Sequence, residues 1–315
     1  PLGTQGNLFG ITGGEGTGKS NYVAAIVAGC ICPAGAEVDT LGIQITANGR
    51  HKAVLLYDTE QSEVQLFKNV SNLLARAKQP DKPDELKAFC LTGMSRKERL
   101  NAIVQSMDKF YYQYGGIQLV VIDGIADLVK SANDEAESVA VIDELYRLAG
   151  IYNTCILCVL HFVPNGLKLR GHLGSELQRK AATILSIEKD DEPAQSVVKA
   201  LKVRDGSPLD VPLMLFAWDK EAGMHVYKGE KPREEKEKRK ERELVNVAHD
   251  IFGRQTRITY IDLCEQLQQV LDIKERTAKS YIRFMRERDI ITKDTANQSC
   301  FVIGSYNLQR NASCP

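Results

Sequence analysis

The residues best suited to chemistry form an eight-residue stretch near the start of the chain, from Gly13 to Ser20. It reads GGEGTGKS and fits the pattern G-x-x-x-x-G-K-[ST] at every position. Glycines let successive backbone N–H groups turn inward to form a nest for an anion, and a following helix adds partial positive charge. Lys19 would then neutralise the β- and γ-phosphates of a nucleoside triphosphate, and the Ser20 hydroxyl would bind Mg²⁺.

This stretch predicts a site for ATP or a close analogue together with Mg²⁺, because it follows a predicted strand and precedes a predicted helix over 21–28. The alternative is a glycine-rich turn that binds nothing, but that alternative leaves the Lys-Ser pair at this spacing unexplained. The residues expected to contact the nucleotide are Gly13, Gly14, Glu15, Gly16, Thr17, Gly18, Lys19, Ser20 and Asn21.

Three carboxylates follow apolar runs that have the character of strands. Asp123 ends the run 117–122, and the carboxyl end of such a strand lies beside the phosphate loop in an open α/β sheet. There it would hold Mg²⁺ through water, whereas its alternative role is to cap the next turn. Asp58 and Glu60 follow the run 53–57, and either could orient and deprotonate an attacking water. The residue types alone do not choose between these two.

The elements that would position these residues alternate along the chain from about 7 to 227. Short β-rich apolar runs are separated by longer amphipathic segments, which is typical of a mostly parallel α/β sheet covered by helices on both faces. The last three runs have short connections, so we expect an antiparallel edge there. The predicted strands are 8–12, 53–58, 117–123, 154–161, 182–188, 196–203 and 211–218.

The pattern changes at residue 228, where the sixteen residues 228–243 contain almost no apolar group. We expect an ATPase domain over 4–228, a charged linker over 229–243 that is partly helical, and a small domain over 244–308. In the small domain, helical stripes over 244–252, 259–271 and 273–288 precede two strands, 290–292 and 300–303, with Thr259 as a helix cap. Three helices followed by a hairpin is the order of a winged helix-turn-helix domain.

The order of the motifs resembles the RecA-like ATPases and, among them, the RepA and DnaB type of ring-forming replicative helicases. In that family a catalytic Glu ends the strand after the phosphate-loop helix, which matches Glu60, and a Walker B Asp matches Asp123. A polar sensor ends the next strand, where His161 stands, and a Lys-x-Arg pair on a late strand matches Lys202 and Arg204. The resemblance covers about 7–228, and a C-terminal winged helix is not a standard part of either helicase.

The resemblance implies that Lys202 and Arg204 reach the γ-phosphate bound by a neighbouring subunit of a homo-oligomer, a hexamer by analogy. The alternative interpretation of Lys202 and Arg204 is surface charge on an edge strand, and the alternative interpretation of His161 is a histidine in the core. Single-stranded DNA would bind a loop in the ring channel, and duplex DNA the third helix of the small domain, although winged helices also dock proteins. The expected DNA contacts are Lys168, Arg170 and His172 in the loop, and Lys274, Arg276, Lys279 and Arg283 in the helix.

Composition limits the classes of function further. The formal net charge is zero, so a DNA site must be a local basic patch. No apolar run approaches the length of a membrane span and no signal peptide is visible, and we interpret the eight cysteines as reduced thiols, so we expect a cytoplasmic protein without membrane partners. We therefore expect a DNA-dependent ATPase and helicase that replicates a plasmid, phage or mobile element. The rival is an ATP-switched DNA-binding regulator that does not unwind DNA.

Overall fold

The computed structural model describes residues 1–161, 171–190, 194–232, 236–253 and 255–305, with the side chains of 236–239 excluded. The chain divides into two compact units, Pro1–Pro232 and Arg233–Pro315. The first unit is a mixed α/β structure built on one nine-stranded sheet, and the second carries a three-stranded sheet of its own.

The nine strands of the first unit alternate with helices along the chain. They are β1 Leu8–Gly13, β2 Ala53–Asp58, β3 Leu86–Cys90, β4 Ile117–Asp123, β5 Cys155–His161, β6 Thr183–Lys189, β7 Gln195–Val203, β8 Leu213–Asp219 and β9 Met224–Lys231. Their spatial order is β3-β2-β4-β5-β1-β6-β7-β8-β9. The pairings from β3 to β6 are parallel, and those from β6 to β9 are antiparallel. The predicted mostly parallel sheet with an antiparallel edge is therefore confirmed, and it is consistent with a RecA-like fold.

Five helices cover the two faces of this sheet. They are α1 Lys19–Ile31, α2 Glu63–Arg76, α3 Arg96–Tyr114, α4 Glu135–Ile151 and α5 Gly171–Lys180. Helices α1 and α2 contribute to one hydrophobic core and α3, α4 and α5 to the other, so the central strands are buried on both sides. Because a strand buried on both faces needs apolar residues at successive positions, runs such as 119–122 lack polar alternation.

Two strands of the sheet were not predicted from the sequence. The edge strand β3 has the sequence LKAFC and is mostly half-buried, and β9 has the sequence MHVYKGEK, which mixes polar with apolar residues and has no buried position. Edge strands face solvent on one side and commonly carry lysine, which blunts pairing with other chains. Because of this mixed polarity, neither strand contains the continuous apolar run that indicates a buried strand.

The second unit contains three helices and three short strands. They are α6 Lys236–Phe252, β10 Ile258–Thr259, α7 Tyr260–Leu271, α8 Glu275–Glu287, β11 Ile291–Lys293 and β12 Cys300–Ile303. The strands form an antiparallel sheet in the order β10-β12-β11. The Thr259 hydroxyl accepts a hydrogen bond from the Asp262 N–H and caps α7 as expected. The three helices and the hairpin occur in the predicted order, and β10 is an additional strand.

The segment 229–243, which we expected to be a partly helical linker, contains the end of one strand and the start of one helix. Strand β9 extends to Lys231, and α6 begins at Lys236, so most of the charged segment belongs to regular elements. The physical reason is the spacing of Glu and Lys, which supports helix without any apolar residue. Within the described residues, no helix is both long and apolar enough to cross a bilayer, and the seven described cysteines are all free thiols.

Candidate active site

The phosphate loop connects β1 to α1 in the position that its motif predicted. Gly18 is the N-cap of α1 with φ of +91°, and a Cβ there would lie 2.9 Å from the Phe216 ring, so both the backbone angle and the space require glycine. The Thr17 hydroxyl donates to the Gly14 carbonyl at 3.0 Å, which tightens the loop. The N-terminus of a thirteen-residue helix then faces the space above the loop, where an anion is favoured.

Lys19 lies along the inside of this loop. Its Nζ donates to the Gly13 carbonyl at 3.0 Å and to the Gly14 carbonyl at 2.6 Å, and the residue is only 7% exposed. Burial lowers the pKa of Lys19, while the neighbouring charges of Asp123, Glu60 and Glu15 oppose that shift. Among the described residues, the hydrogen bonds of this buried ammonium go to two neutral carbonyls, so it is suited to exchange one of them for a charged phosphate oxygen, which forms the stronger hydrogen bond.

The candidate carboxylates converge at the carboxyl ends of β2 and β4. Asp58 and Asp123 are paired in the register of these strands, and His161 at the end of β5 is paired with Gly13 of the phosphate loop. Burial, followed by the charges of Asp58 and Glu60, raises the pKa of Asp123 to about 7. The structure thus brings the predicted metal ligand, the predicted base and the predicted sensor to the edge of the sheet that carries the phosphate loop.

Asp58 and Glu60, the two candidates for the base, have different environments. The Asp58 carboxylate is buried and accepts hydrogen bonds from the Glu60 N–H at 3.0 Å and the Gln61 N–H at 2.8 Å. It therefore fixes the turn after β2. The Glu60 side chain is 35% exposed and one of its oxygens lies 3.3 Å from Nε2 of His161. Glu60 is the carboxylate that a water molecule can reach.

Two residues that the sequence analysis missed shape the backbone and the space beside Glu60. The buried Thr59 hydroxyl donates to the Gly124 carbonyl at 2.8 Å and lies 3.0 Å from that of Asp123, which ties the end of β2 to the end of β4. Gly124 has φ of +97°, and a Cβ there would lie 2.7 Å from Cγ of Glu60. The sequence signal for this close approach was the Asp-Gly pair after a buried strand, which favours a tight turn.

His161 connects the candidate base to the chain that follows β5. Its contact with Glu60 requires the proton on Nε2, because an ionised carboxylate only accepts hydrogen bonds. Its Nδ1 is buried and has no partner among the described residues. The next residues, which include the expected DNA contacts Lys168 and Arg170, lie outside the described residues, and the third expected contact, His172, is exposed in the first turn of α5.

Mg²⁺ fits the chemistry of this site. The ion prefers hard oxygen ligands, and the expected set is the exposed Ser20 hydroxyl with the Asp123 carboxylate, beside two further carboxylates that make the site anionic. Among the residues that the structure describes, no three His, Cys, Asp or Glu side chains form a metal site by themselves. The ion would therefore depend on phosphate oxygens and water for its remaining ligands, as Mg²⁺ commonly does.

Lys202 and Arg204 lie at the opposite edge of the sheet. Because β7 is antiparallel, its end pairs with Thr183 at the start of β6, whereas Val198 is level with Ile187 and Gly13. Five residues separate Val198 from Val203, so the pair lies roughly 15 Å from the phosphate loop along the strand. The structure therefore does not bring Lys202 and Arg204 to the nucleotide site of their own copy.

In this position the two side chains bind the end of α5. Lys202 donates to the carbonyls of Gln178 at 2.6 Å and Arg179 at 3.1 Å, and Arg204 donates to that of Lys180 at 2.8 Å. The last carbonyls of a helix have no partner inside the helix, and cations are favoured beside them. The alternative of surface charge on an edge strand is wrong in its placement, because β7 lies between β6 and β8, and the pair is held by the end of α5.

The antiparallel edge places an aromatic surface near the phosphate loop. Phe216 of β8 contacts Gly18, and its ring lies 5.7 Å from that of His225, which in turn lies 5.5 Å from Trp218. Trp218 is 55% exposed, and the strand positions it at the same edge of the sheet as the loop. An exposed aromatic ring here can stack on a planar base, and the sequence analysis did not single it out.

The expected DNA contacts on α8 are exposed and partly paired. Lys279 lies 2.7 Å from Glu275 and Arg283 lies 2.8 Å from Glu287, both in i,i+4 pairs on the helix surface. Such exposed pairs contribute little to stability, so a phosphate competes with them easily. Lys274 and Arg276 are exposed at the start of the same helix. The positively charged face that the sequence predicted is therefore present on α8.

Together, the open α/β sheet, the phosphate loop and the carboxylates at its edge define a P-loop ATPase. Residues 4–165, more than half of the chain, match the AAA domain family. The chain therefore belongs to this family of AAA-type P-loop ATPases, whose members bind and hydrolyse ATP. A comparison with curated proteins found no match.

Proposed function

We propose that the chain is a DNA-dependent ATPase that hydrolyses ATP as a ring of several copies and acts as a replicative helicase of the RepA/DnaB type. The observation that carries this proposal is the separation of the candidate catalytic groups. Lys19, Glu60 and Asp123 lie at one edge of the sheet, and Lys202 and Arg204 lie at the other. A second copy is needed to unite them on one nucleotide.

In the proposed reaction, the phosphate loop and Lys19 bind the triphosphate, and Mg²⁺ held by Ser20 and Asp123 would neutralise charge on the phosphates. Glu60 accepts a proton from the attacking water, and Arg204 from the neighbouring copy stabilises the charge that spreads over the γ-phosphate oxygens. An arginine supplied in this way contributes roughly 10³–10⁵ in rate. His161, which contacts Glu60, is suited to relay the state of the γ-phosphate to the chain after β5.

Two features support DNA as the partner. The second unit has the element order of a winged helix and carries exposed basic residues on α8. The segment after His161 contains Lys168 and Arg170 with three glycines, a composition suited to follow a single-strand backbone. Phosphate contacts of this kind make binding strongly dependent on salt.

The neighbour's role is tested by mixing two inactive variants, Lys19→Ala and Arg204→Ala. A Lys19→Ala copy cannot bind the triphosphate productively but still offers Arg204, so mixed rings should recover hydrolysis that neither variant shows alone. We expect wild-type hydrolysis to rise more steeply than linearly with protein concentration and to be stimulated by single-stranded DNA. Absence of recovery, with strictly additive losses, would show that Arg204 does not act on a neighbour.

A second candidate function is an ATP-switched DNA-binding regulator. The basic face of α8 in a separate unit favours it, because a duplex-binding module on an ATPase needs no strand separation to be useful. Directional unwinding of a forked duplex separates the two functions. Tight, salt-sensitive binding to duplex without stimulation by single strands and without unwinding would favour the regulator.

A further inference from the structure

Arg99, in the first turn of α3, joins two loops at the edge of the sheet that carries the candidate active site. Its Nε donates to the Leu91 carbonyl at 3.0 Å and its Nη2 donates to the Thr92 carbonyl at 3.3 Å, both in the loop between β3 and α3. Its Nη1 donates to the Asp127 carbonyl at 3.1 Å, in the helical turn Ile125–Leu128 that follows β4. One planar side chain therefore connects two separate loops.

Both loops are also bonded to the end of β2, which leads into Glu60. On the β3 side, the Leu91 N–H donates to the Asp58 carbonyl at 2.8 Å. On the β4 side, the Thr59 hydroxyl donates to the Gly124 carbonyl at 2.8 Å. The start of the Glu60 turn is therefore held between the two loops that Arg99 connects.

The β4 loop passes this constraint to the Glu60 side chain. The Asp127 N–H donates to the Gly124 carbonyl at 3.1 Å, so the turn that Arg99 holds begins at Gly124. A Cβ on Gly124 would lie 2.7 Å from Cγ and 2.9 Å from Oε1 of Glu60, which shows how closely the backbone of this turn approaches the carboxylate. A shift of the turn therefore changes the space available to Glu60.

The guanidinium group is chemically suited to this connection. The Arg99 side chain is 14% exposed, and the Asp127 carboxylate lies 3.7 Å from its Nη1. A guanidinium presents five donors in one rigid plane, so it can bond carbonyls of both loops at once. A lysine ammonium is a single charge on a flexible stem and cannot reproduce that geometry.

We propose that Arg99 is a positioning residue for ATP hydrolysis, which fixes the Gly124 turn and, through it, the carboxylate of Glu60. This role rests on the proposed function of Glu60 as the base that accepts a proton from water. Among the described residues, the hydrogen bonds of Arg99 go to loop carbonyls and not to the phosphate loop. Loss of Arg99 should therefore slow hydrolysis and leave nucleotide binding almost unchanged.

The test measures single-turnover hydrolysis at saturating ATP and Mg²⁺ in Arg99→Lys and the wild type, with nucleotide affinity from calorimetry and Tm from circular dichroism. Lysine keeps the charge and loses the planar fork, so we expect hydrolysis to slow about tenfold or more while the affinity stays within about threefold. Arg99→Gln, whose shorter amide cannot join both loops, gives a second comparison and carries the test if Arg99→Lys does not fold. A wild-type rate in a folded variant would overturn the proposal.

Arg76→Lys is the matched control for the loss of a buried arginine. Arg76 is 7% exposed and donates to the carbonyls of Asp39 and His225, which also lie in two separate segments of the same unit. Neither segment adjoins the candidate base. We therefore expect Arg76→Lys to lower Tm and to hydrolyse saturating ATP at the wild-type rate. Equal losses of rate in Arg99→Lys and Arg76→Lys would reveal a general effect of stability and would contradict a positioning role.

A double-mutant cycle with Glu60→Gln tests whether Arg99 acts through Glu60. Once the base is removed, its misplacement has no further effect, so Arg99→Lys should slow the Glu60→Gln variant by less than about twofold. If the two losses multiply in full, Arg99 acts independently of Glu60 and the proposal is wrong. If Glu60→Gln alone hydrolyses ATP at the wild-type rate, the proposed role of Glu60 is wrong, and the positioning role fails with it.

Discussion

Replacing Gly124 with alanine should uncouple ATP hydrolysis from ATP binding. The residue has φ of +97°, and a Cβ there would lie 2.4 Å from Oγ1 of Thr59 and 2.7 Å from Cγ of Glu60. Ordinary contact begins at 3.4 Å, so Glu60 must move by about 0.7 Å. A displacement of this size in a catalytic group commonly costs roughly 10–100-fold in rate. The phosphate loop is not touched, so the affinity for nucleotide should change by less than about threefold.

The positive φ adds a separate effect on stability, which a matched control isolates. Gly115 ends α3 with φ of +64°, and no atom lies within 4 Å of a Cβ placed there. Both alanine variants should lose about 1–2 kcal/mol from the backbone alone. This corresponds to a fall of roughly 2–8 °C in Tm for a unit of this size. Only Gly124→Ala should also lose activity.

The assay is single-turnover hydrolysis of ATP at saturating Mg²⁺, with nucleotide affinity measured by calorimetry and Tm by circular dichroism. We expect Gly124→Ala to keep its affinity, to melt below Gly115→Ala because its Cβ also displaces the buried Thr59 hydroxyl, and to hydrolyse ATP about 10–100-fold more slowly than that control. Equal rates for the two variants would refute the inference that Gly124 positions Glu60.

Two further predictions concern the carboxylates. Glu60→Gln should bind ATP and lose roughly 10²–10⁴ in hydrolysis, whereas Asp58→Asn should mainly lower Tm, because its carboxylate holds the turn after β2; similar rates for both would reject the assignment. For Asp123, the pKa of about 7 lies above the ordinary 3.8, so its stabilising effect is full below pH 4 and is lost as pH rises to about 7. Asp123→Asn should therefore raise the free energy of unfolding of the metal-free protein in urea at pH 8, by up to about 4 kcal/mol, and should not raise it at pH 4. Equal gains at both pH values would show that the raised pKa of Asp123 is not the cause.

The central part of the fold could be predicted because burial leaves a simple pattern. The bounds of β2 and β4 agree with the predicted runs, since strands covered on both faces must be apolar at nearly every position. The edge strands β3 and β9 gave no such signal. Their backbone pairs on one side only or faces solvent, so their side chains are free to be polar, and only the neighbouring strand identifies them.

The candidate site was predictable in its chemistry and not in its geometry. Spacing located the phosphate loop, the end of an apolar run located Asp123, and the resemblance to RecA-like ATPases located His161. The difference between Asp58 and Glu60 depends on which carboxylate folds back onto the backbone of its own turn. That choice depends on the turn conformation, and the contact of Gly124 with Glu60 joins residues 64 positions apart. A local sequence pattern reveals neither the turn conformation nor the contact between Gly124 and Glu60.

In the proposed ring, the position of Lys202 and Arg204 would couple ATP binding on one copy to the stability of the end of α5 on the next copy. These cations bind the last carbonyls of α5, a helix that follows directly on the segment with Lys168 and Arg170. In the proposed ring, they must leave those neutral carbonyls to reach a neighbour's phosphate, which offers stronger charge-assisted hydrogen bonds. Because the two partners would compete for the same cations in that ring, ATP on one copy would destabilise the end of α5 on the next. Loss of ATP by hydrolysis would restore it. A ligand shifts an equilibrium only when it binds the two states with different affinities. In the proposed ring, the exchange of Lys202 and Arg204 between the α5 carbonyls and a neighbour's phosphate would supply that difference. It would couple the nucleotide site to the candidate DNA segment.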